Sequence, residues 1–291
     1  MVRIFIVFVL MMLAAAGCLA ENGPFSLPID FSPGMPLSED CYINENEYKD
    51  PSIHVTIEHN RKGWCDYWVA RIKIQDPSQL RTAAAAGFDE VFAMNAEMLA
   101  KRQNAVLAID GDYFCYSDFG FVLRQGELFM DELQGERDVL AIDEDGNFHT
   151  FYLPDSGEVP TEIDGKKVIN AFHFGPALVV NGQIGQLKAG EWMVPTLKRQ
   201  RMCIAQTGPL EYMALCCAAP ARGSSGMDIR EFAKLAKDLG AITAYNLDGG
   251  DSTIMIFRNK KINDVNNKNT RDISDILYFA SAWDPAKTEA Q

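Results

Sequence analysis

Apolar and polar side chains begin to alternate at residue 53. The alternation covers residues 53–57 and 67–74, the period-two signature of half-buried strands. The period then changes. Phe88, Val91, Phe92, Asn95, Met98 and Leu99 recur at three- and four-residue spacing, which predicts a helix near residues 86–103. An apolar run at 105–109 reads as a short buried strand and ends in Asp110-Gly111-Asp112. The middle of the chain reads as hairpins. Residues 121–124 turn at Gln125-Gly126, residues 139–142 turn through 144–147 into 148–153, and residues 177–180 turn at Asn181-Gly182. Strands are expected at 202–206 and 212–219, with a turn at 207–209 between them. A helix should start at Asp228, capped reciprocally with Glu231, bury Phe232, Leu235, Ala236 and Leu239, and stop at Gly240. A strand over 241–247 then runs into Asp248-Gly249-Gly250-Asp251, and residues 252–257 return as another strand. The pattern predicts an α/β or α+β fold: a mixed β-sheet core with hairpins and a few packed helices. The strand–helix–strand unit places the second acidic turn at the carboxyl end of a strand, where α/β sheets bind ligands.

The first fifty residues lie outside this pattern. Arg3 precedes an apolar run over 4–16, too short for a membrane span. Residues 1–20 therefore read as a signal peptide cleaved after Ala20, with a lipoprotein signal lipidated at Cys18 and an uncleaved anchor as the alternatives. All three readings put the mature protein in the cell envelope or outside the cell, and the first two leave the mature form without a transmembrane domain. Residues 21–50, with Pro24, Pro28, Pro33 and Pro36, form an extended lead-in with no core of its own, and residues 51–291 form one domain. The chain has 291 residues, 47% of them hydrophobic, enough for a sizeable core. Its 40 acidic against 27 basic residues give a net charge of -13, which disfavours nucleic acid and anionic lipid as partners. Six cysteines remain beyond Cys18. Export permits disulfides, and Cys41 with Cys65 is the expected pair. No Cys/His spacing suits zinc.

Two acidic glycine turns stand out as candidate chemistry. Asp143–Gly146 and Asp164-Gly165 are ordinary turns. Asp110 and Asp248 differ because apolar strands lead directly into them. Carboxyls at such buried strand ends have raised pKa values unless paired, which suits acid–base work. Glycine beside them lets a ligand approach the backbone. Asp110, Asp112, Asp248 and Asp251 are also candidate oxygen ligands for Ca²⁺ or Mg²⁺. Tyr113, Phe114 and Tyr116 follow the first turn and are candidates for stacking on a sugar.

Residues 246–253, Asn-Leu-Asp-Gly-Gly-Asp-Ser-Thr, resemble the NLDGG-x-S-[ST] signature of the phosphodiester glycosidase family. Residues 108–114 resemble its AI-N-G-[DG]-[YF]-[YF] motif, and 174–179 its FGPALV strand. Arg201 with Ile204-Ala205-Gln206 is similar to its PRTAIGQ segment. Ser225-Gly226-Met227 leads into the family helix, and residues 271–275 are similar to its R-x-VSD motif. The matches run in order over roughly residues 65–280. Asp110 replaces the usual Asn and Asp251 the usual Gly, so this site is the more acidic one. His173 stands where a small residue is common, and Gln200-Arg201-Met202-Cys203 departs from the family's Pro-Arg-Thr-Ala. The resemblance implies hydrolysis of a sugar-1-phosphate diester at its glycosidic bond. It implies catalytic roles for Asp248 and for Asp110 or Asp112, with acid and base unassigned. Arg201 and Arg271 are implied phosphate ligands, with Arg124 and Arg222 weaker candidates. The resemblance further implies that Gly111, Gly249, Gly250, Asn246, Ser252 and Tyr113 shape the site or touch the substrate. The rival reading is a non-catalytic envelope protein that binds carbohydrate or phosphate on the same fold. A metal-dependent phosphodiesterase is disfavoured for want of a His-rich cluster.

Overall fold

A computed structural model describes residues 23–133, 136–153, 158–187, 196–219, 223–263 and 270–288. The expected signal segment and Arg222 lie outside the described residues. The alternating segments do form strands, and they group into three sheets. The largest has nine strands in the order Tyr42–Asn44, Glu47–Lys49, Ile53–Lys62, Cys65–Ile74, Glu211–Cys217, Arg201–Gly208, Thr243–Asn246, Ala177–Val180 and Gln183–Ile184. A second sheet joins Phe148–Leu153, Arg137–Asp143, Lys166–Phe172, Gly120–Arg124 and Glu127–Glu132, with Glu162–Ile163 beside Lys166–Phe172. The third joins Lys260–Lys261, Met255–Phe257, Ala105–Asp110, Asp275–Ala280 and Leu80–Ala84.

The main core lies where these sheets meet. Val55, Ile72, Ile204 and Tyr245 of the nine-stranded sheet pack with Leu107, Ile109 and Leu277 of the third and with Leu140 and Phe172 of the second. Helix Ile229–Asp238 covers the other face of the large sheet, setting Phe232 and Leu235 against Cys203, Ala205, Met213 and Leu215. The chain is thus an α+β protein, largely β, and among the described residues two main helices pack outside its sheets.

Local chemistry explains where the elements start and turn. Asn181 and Gly182 adopt φ of 50° and 72°, the paired left-handed conformation of a two-residue hairpin. Asp228 accepts hydrogen bonds from the N–H groups of Arg230 and Glu231, while Glu231 accepts from Asp228 N–H, completing the capping box. Gly240 follows the helix at φ 99°. The lead-in is docked rather than loose. Arg81, fully enclosed, donates to the carbonyls of Pro28 and Asp30 at 2.8 Å and of Ser32 at 3.0 Å.

Three expectations need correction. The first helix spans Ala96–Arg102 and not 86–103, because the Asn95 side chain caps it by accepting Met98 N–H (3.0 Å). Val91 and Phe92, read as helix core, are exposed loop residues; Phe88 is buried against Phe31, Phe114 and Phe129 instead. Second, the strand–helix–strand unit forms, with Asp248 beyond the carboxyl end of its second strand, but its two strands do not lie side by side. Strands Glu211–Cys217 and Thr243–Asn246 are not neighbours, since Arg201–Gly208 runs between them and pairs antiparallel with both. Third, Cys41 and Cys65 are free thiols, as are Cys115, Cys203, Cys216 and Cys217. Cys65 interacts with Cys217, which sits on the next strand.

Candidate active site

The first turn ends strand Ala105–Asp110, and the second follows strand Thr243–Asn246 in a different sheet. Packing of the two sheets brings them into backbone contact: Asp248 N–H donates to the Gly111 carbonyl at 3.2 Å. Strand Asp275–Ala280 closes the junction. Gly111 N–H donates to the Asp275 carbonyl (3.0 Å), and Asp112 N–H donates to Asp275 Oδ1 (2.7 Å). Glycine is required at 111 because a Cβ there would lie 2.3 Å from Asp275 Oδ1. Gly111→Ala must displace a carboxylate that Arg124 holds in place. It is expected to cost about 1–3 kcal/mol, measured by urea denaturation, with loss of whatever activity the turn supports.

Asp112 is locked in its ionised form. Its Oδ1 accepts Tyr113 N–H and its Oδ2 accepts His173 N–H, both at 3.0 Å. His173 Nδ1 lies 3.0 Å and Arg124 Nη2 3.5 Å from the same Oδ2, as ion-pair contacts without hydrogen-bond alignment. Burial pushes the Asp112 carboxyl up, but His173 and then Arg124 outweigh it and hold it below the usual carboxylate range. Arg124 has no exposed surface. It donates from Nε to Asp275 Oδ2 (3.0 Å), from Nη1 to the carbonyls of Leu123 and Ala171, and stacks 4.0 Å from the Phe172 ring centroid. Burial raises the Asp275 carboxyl, and Arg124 opposes that rise.

Asp248 is poised differently. Its Oδ1 accepts Gly249 N–H (2.7 Å) and its Oδ2 accepts Arg271 Nη2 (2.8 Å). Burial raises its pKa to about 6, against the pull of Ser252 and Arg271. Gly250 supplies the φ of 60° that the turn needs, and its N–H donates to the Gln200 carbonyl. Arg271 is the partly exposed cation of the site. Its Nε and Nη2 both donate to Ser252 Oγ. Its guanidinium lies 5.1 and 4.9 Å from the ring centroids of Tyr113 and Tyr116, which stack on each other. Asp251 is half-buried, and its carbonyl accepts Arg271 N–H.

The structure thus gathers Asp110, Gly111, Asp112, Tyr113, Asp248, Gly249, Gly250, Ser252 and Arg271. Arg201 is placed elsewhere. It shares the sheet face of Cys203, two residues on, which is the face under helix Ile229–Asp238. Its guanidinium donates to the carbonyls of Met227 and Leu197, both at 2.9 Å. Asn246 is buried and donates to the carbonyls of Gly175 (2.8 Å) and Leu247 (3.1 Å), so it braces the turn. Among the described residues no three His, Cys, Asp or Glu side chains converge to hold a metal, so the four aspartates do not form a cage for Ca²⁺ or Mg²⁺. Sequence reasoning gave Asp275 no role and Arg124 a minor one. The signal was present: charges set inside apolar strand runs, Phe121-Val122-Leu123-Arg124 and Asp275-Ile276-Leu277.

The sequence profile of the phosphodiester glycosidase family matches residues 103–280, more than half of the chain and both turns. This protein belongs to that family. Among solved structures it is similar to the catalytic domain of zebrafish N-acetylglucosamine-1-phosphodiester alpha-N-acetylglucosaminidase, auto-inhibited by its pro-peptide. That match has a TM-score of 0.64 and 17% identity, and covers 80% of this chain and 85% of the other. A Burkholderia pseudomallei protein provisionally described as exported matches with a TM-score of 0.53, 14% identity and 74% of each chain. A hypothetical protein from Synechocystis matches with a TM-score of 0.52, 15% identity, 79% of this chain and 62% of the other. These likenesses establish the phosphodiester glycosidase fold. No curated protein sequence matches the chain. Among the described residues no helix is long and apolar enough to cross a membrane.

Proposed function

We propose that this protein is an exported hydrolase that cleaves sugar-1-phosphate diesters, of the N-acetylglucosamine-1-phosphodiester kind, at the bond between C1 and the bridging oxygen. The observation that carries the reading is the pairing of Asp248, poised near pH 6, with the accessible Arg271 at 2.8 Å. The leaving group is a phosphate monoester, itself a weak base, so its departure asks little of a general acid. The demanding step is attack on an oxocarbenium-like C1, and an ionised carboxylate serves it. Asp248 takes that role: it accepts a proton from the attacking water, the water oxygen ends on C1, and the phosphate monoester leaves with the bridging oxygen and its electron pair. Arg271 receives the phosphate, and Ser252 and the two tyrosines hold the guanidinium for it. Asp112 contributes a fixed negative charge.

The apolar first twenty residues, and a Burkholderia neighbour provisionally described as exported, support the location in the cell envelope or outside the cell. The reaction is tested with a GlcNAc-1-phosphodiester in ¹⁸O-water. Label on the released sugar supports the reading. Label on phosphate, or binding without turnover, overturns it in favour of phosphorus–oxygen cleavage or of a binding protein.

Arg271→Ala separates binding from chemistry. It is expected to raise KM by about 10-fold or more, since a charge-assisted phosphate contact is lost. Removing the cation also favours the neutral form of Asp248, so the acid limb of the pH–rate profile should move to higher pH. Steady-state kinetics across pH checks both effects.

A further inference from the structure

Arg137 opens strand Arg137–Asp143 of the second sheet, and packing sets that strand end at the junction of the two turns. Asp138, the next residue, is pinned on two sides. Its carbonyl accepts Tyr245 Oη–H at 2.7 Å, and its Oδ2 accepts Ala177 N–H at 2.8 Å. Tyr245 belongs to strand Thr243–Asn246, which leads into the second turn. The Arg137 guanidinium lies 4.9 Å from the ring centroid of Phe119. Phe119 precedes Gly120, where a Cβ would lie 2.5 Å from His173 Cε1. This backbone therefore rests against the ring whose Nδ1 is 3.0 Å from Asp112 Oδ2. Arg137 and Phe119 are both half-buried, so the guanidinium can still be reached from solvent. Burial works against its charge, and Asp112 and then Tyr245 oppose that effect.

The cations near the acids are of two kinds. Arg124 is fully enclosed and committed to Asp275 and to main-chain carbonyls. Arg271 and Arg137 are partly exposed, and each lies against aromatic rings, Tyr113 and Tyr116 for the one and Phe119 for the other. A guanidinium stacked by its face directs its N–H groups outward in its own plane, where a carboxylate or phosphate can meet them. The two arginines arrive from different sheets, and the acids link them. Arg271 pairs with Asp248; after burial, the Asp112 charge adds to the rise of the Asp248 carboxyl; and Asp112 supports the charge of Arg137. Resting on the hydrolase reading, we propose that Arg137 binds substrate, and that the preferred sugar-1-phosphodiester carries a second anionic group, a carboxylate or phosphate, which Arg137 receives while Arg271 receives the scissile phosphate. A diester with one negative charge fills only one of these two positions. In a chain of net charge -13, a second anion is held only where a cation is set for it.

Matched substrates test this. A GlcNAc-1-phosphodiester is compared with the same diester bearing a phosphate on O6, with one whose C6 is a carboxylate, and with one whose alcohol portion carries a carboxylate. At least one added anion is expected to raise kcat/KM by about 10-fold or more, chiefly through a lower KM, because a guanidinium–anion contact is charge-assisted. The compound that gains shows whether the second anion belongs to the sugar or to the alcohol. Arg137→Gln keeps much of the stem over Phe119 without the charge and should abolish the preference, while Arg137→Lys, a cation without the fork, should keep part of it. Equal kcat/KM on all four compounds overturns the proposal. So does a preference that survives in folded Arg137→Gln, which would leave Arg137 as a support for Asp112 alone. If circular dichroism shows Arg137→Gln unfolded, Arg137→Lys decides, and an undiminished preference there overturns the proposal. A parent without turnover overturns the hydrolase reading alone. The same four compounds then serve as stable ligands in calorimetry, where about 10-fold tighter binding of one doubly charged compound, lost in Arg137→Gln, supports the proposal and equal binding overturns it.

Discussion

Asp248→Asn is expected to lower sugar-1-phosphodiester hydrolysis by about 10²–10⁴-fold while leaving the protein folded. The amide keeps the size of the side chain and can still accept Gly249 N–H, but it cannot take a proton. In the parent, kcat/KM should rise with pH through about 6 and then level off, because the ionised form is the active one. A profile that instead falls through that pH would mean that Asp248 acts as an acid. The same substitution reports on stability. A carboxyl whose folded pKa is raised favours the folded state fully below its ordinary value of 3.8, and that contribution is lost as pH rises through about 6. The charge-burial cost above pH 6 is at most about 3 kcal/mol, and the Arg271 pairing lost in the variant offsets part of the gain. Thermal melts should therefore show Asp248→Asn gaining on the parent as pH rises from about 4 to 7.

Arg124→Met should have the larger effect on stability. Arg124 is the cation shared by Asp112 and Asp275, and neither carboxyl has exposed surface of its own. Methionine fills much of the volume over Phe172 but leaves two buried charges without that partner. Breaking a buried pair in this way costs about 3–5 kcal/mol, a large share of a domain's stability. The variant is expected to melt far below the parent or to accumulate as aggregate. Arg124→Lys should recover little, since one ammonium cannot reproduce the Nε contact to Asp275 together with the Nη1 contacts to Leu123 and Ala171. Circular dichroism melts of both variants decide this. If either melted within about 1 kcal/mol of the parent, the network would not be what holds the first turn.

Much of the local structure was legible in the chain. The hairpin at Asn181-Gly182, the capped helix from Asp228 and the two acidic turns at strand ends depend on side chains within a few residues of one another. Backbone preference and short-range hydrogen bonds act over that range. The helix over 86–103 was misread because Val91 and Phe92 share its periodicity, while the Asn95 cap and the burial of Phe88 against Phe31 and Phe129 set the real boundary. Arg201 was assigned to phosphate by its motif. Its side chain points under the helix because alternation along the strand puts it on the face of Cys203.

By itself, then, the sequence determined the strands, the turns, the family and the acidic character of the site. Tertiary structure alone decided what surrounds each acid. Asp110, Asp112, Asp248 and Asp275 are the same side chain. Their different surroundings come from burial and from side chains that other parts of the chain bring in: His173 and Arg124 to Asp112, Arg124 to Asp275, Arg271 to Asp248, and no ion-pair partner among the described residues to Asp110. Proton affinity in a water-excluded site is set by neighbours a few ångströms away in space, and these neighbours are brought in by strand pairings between distant parts of the chain.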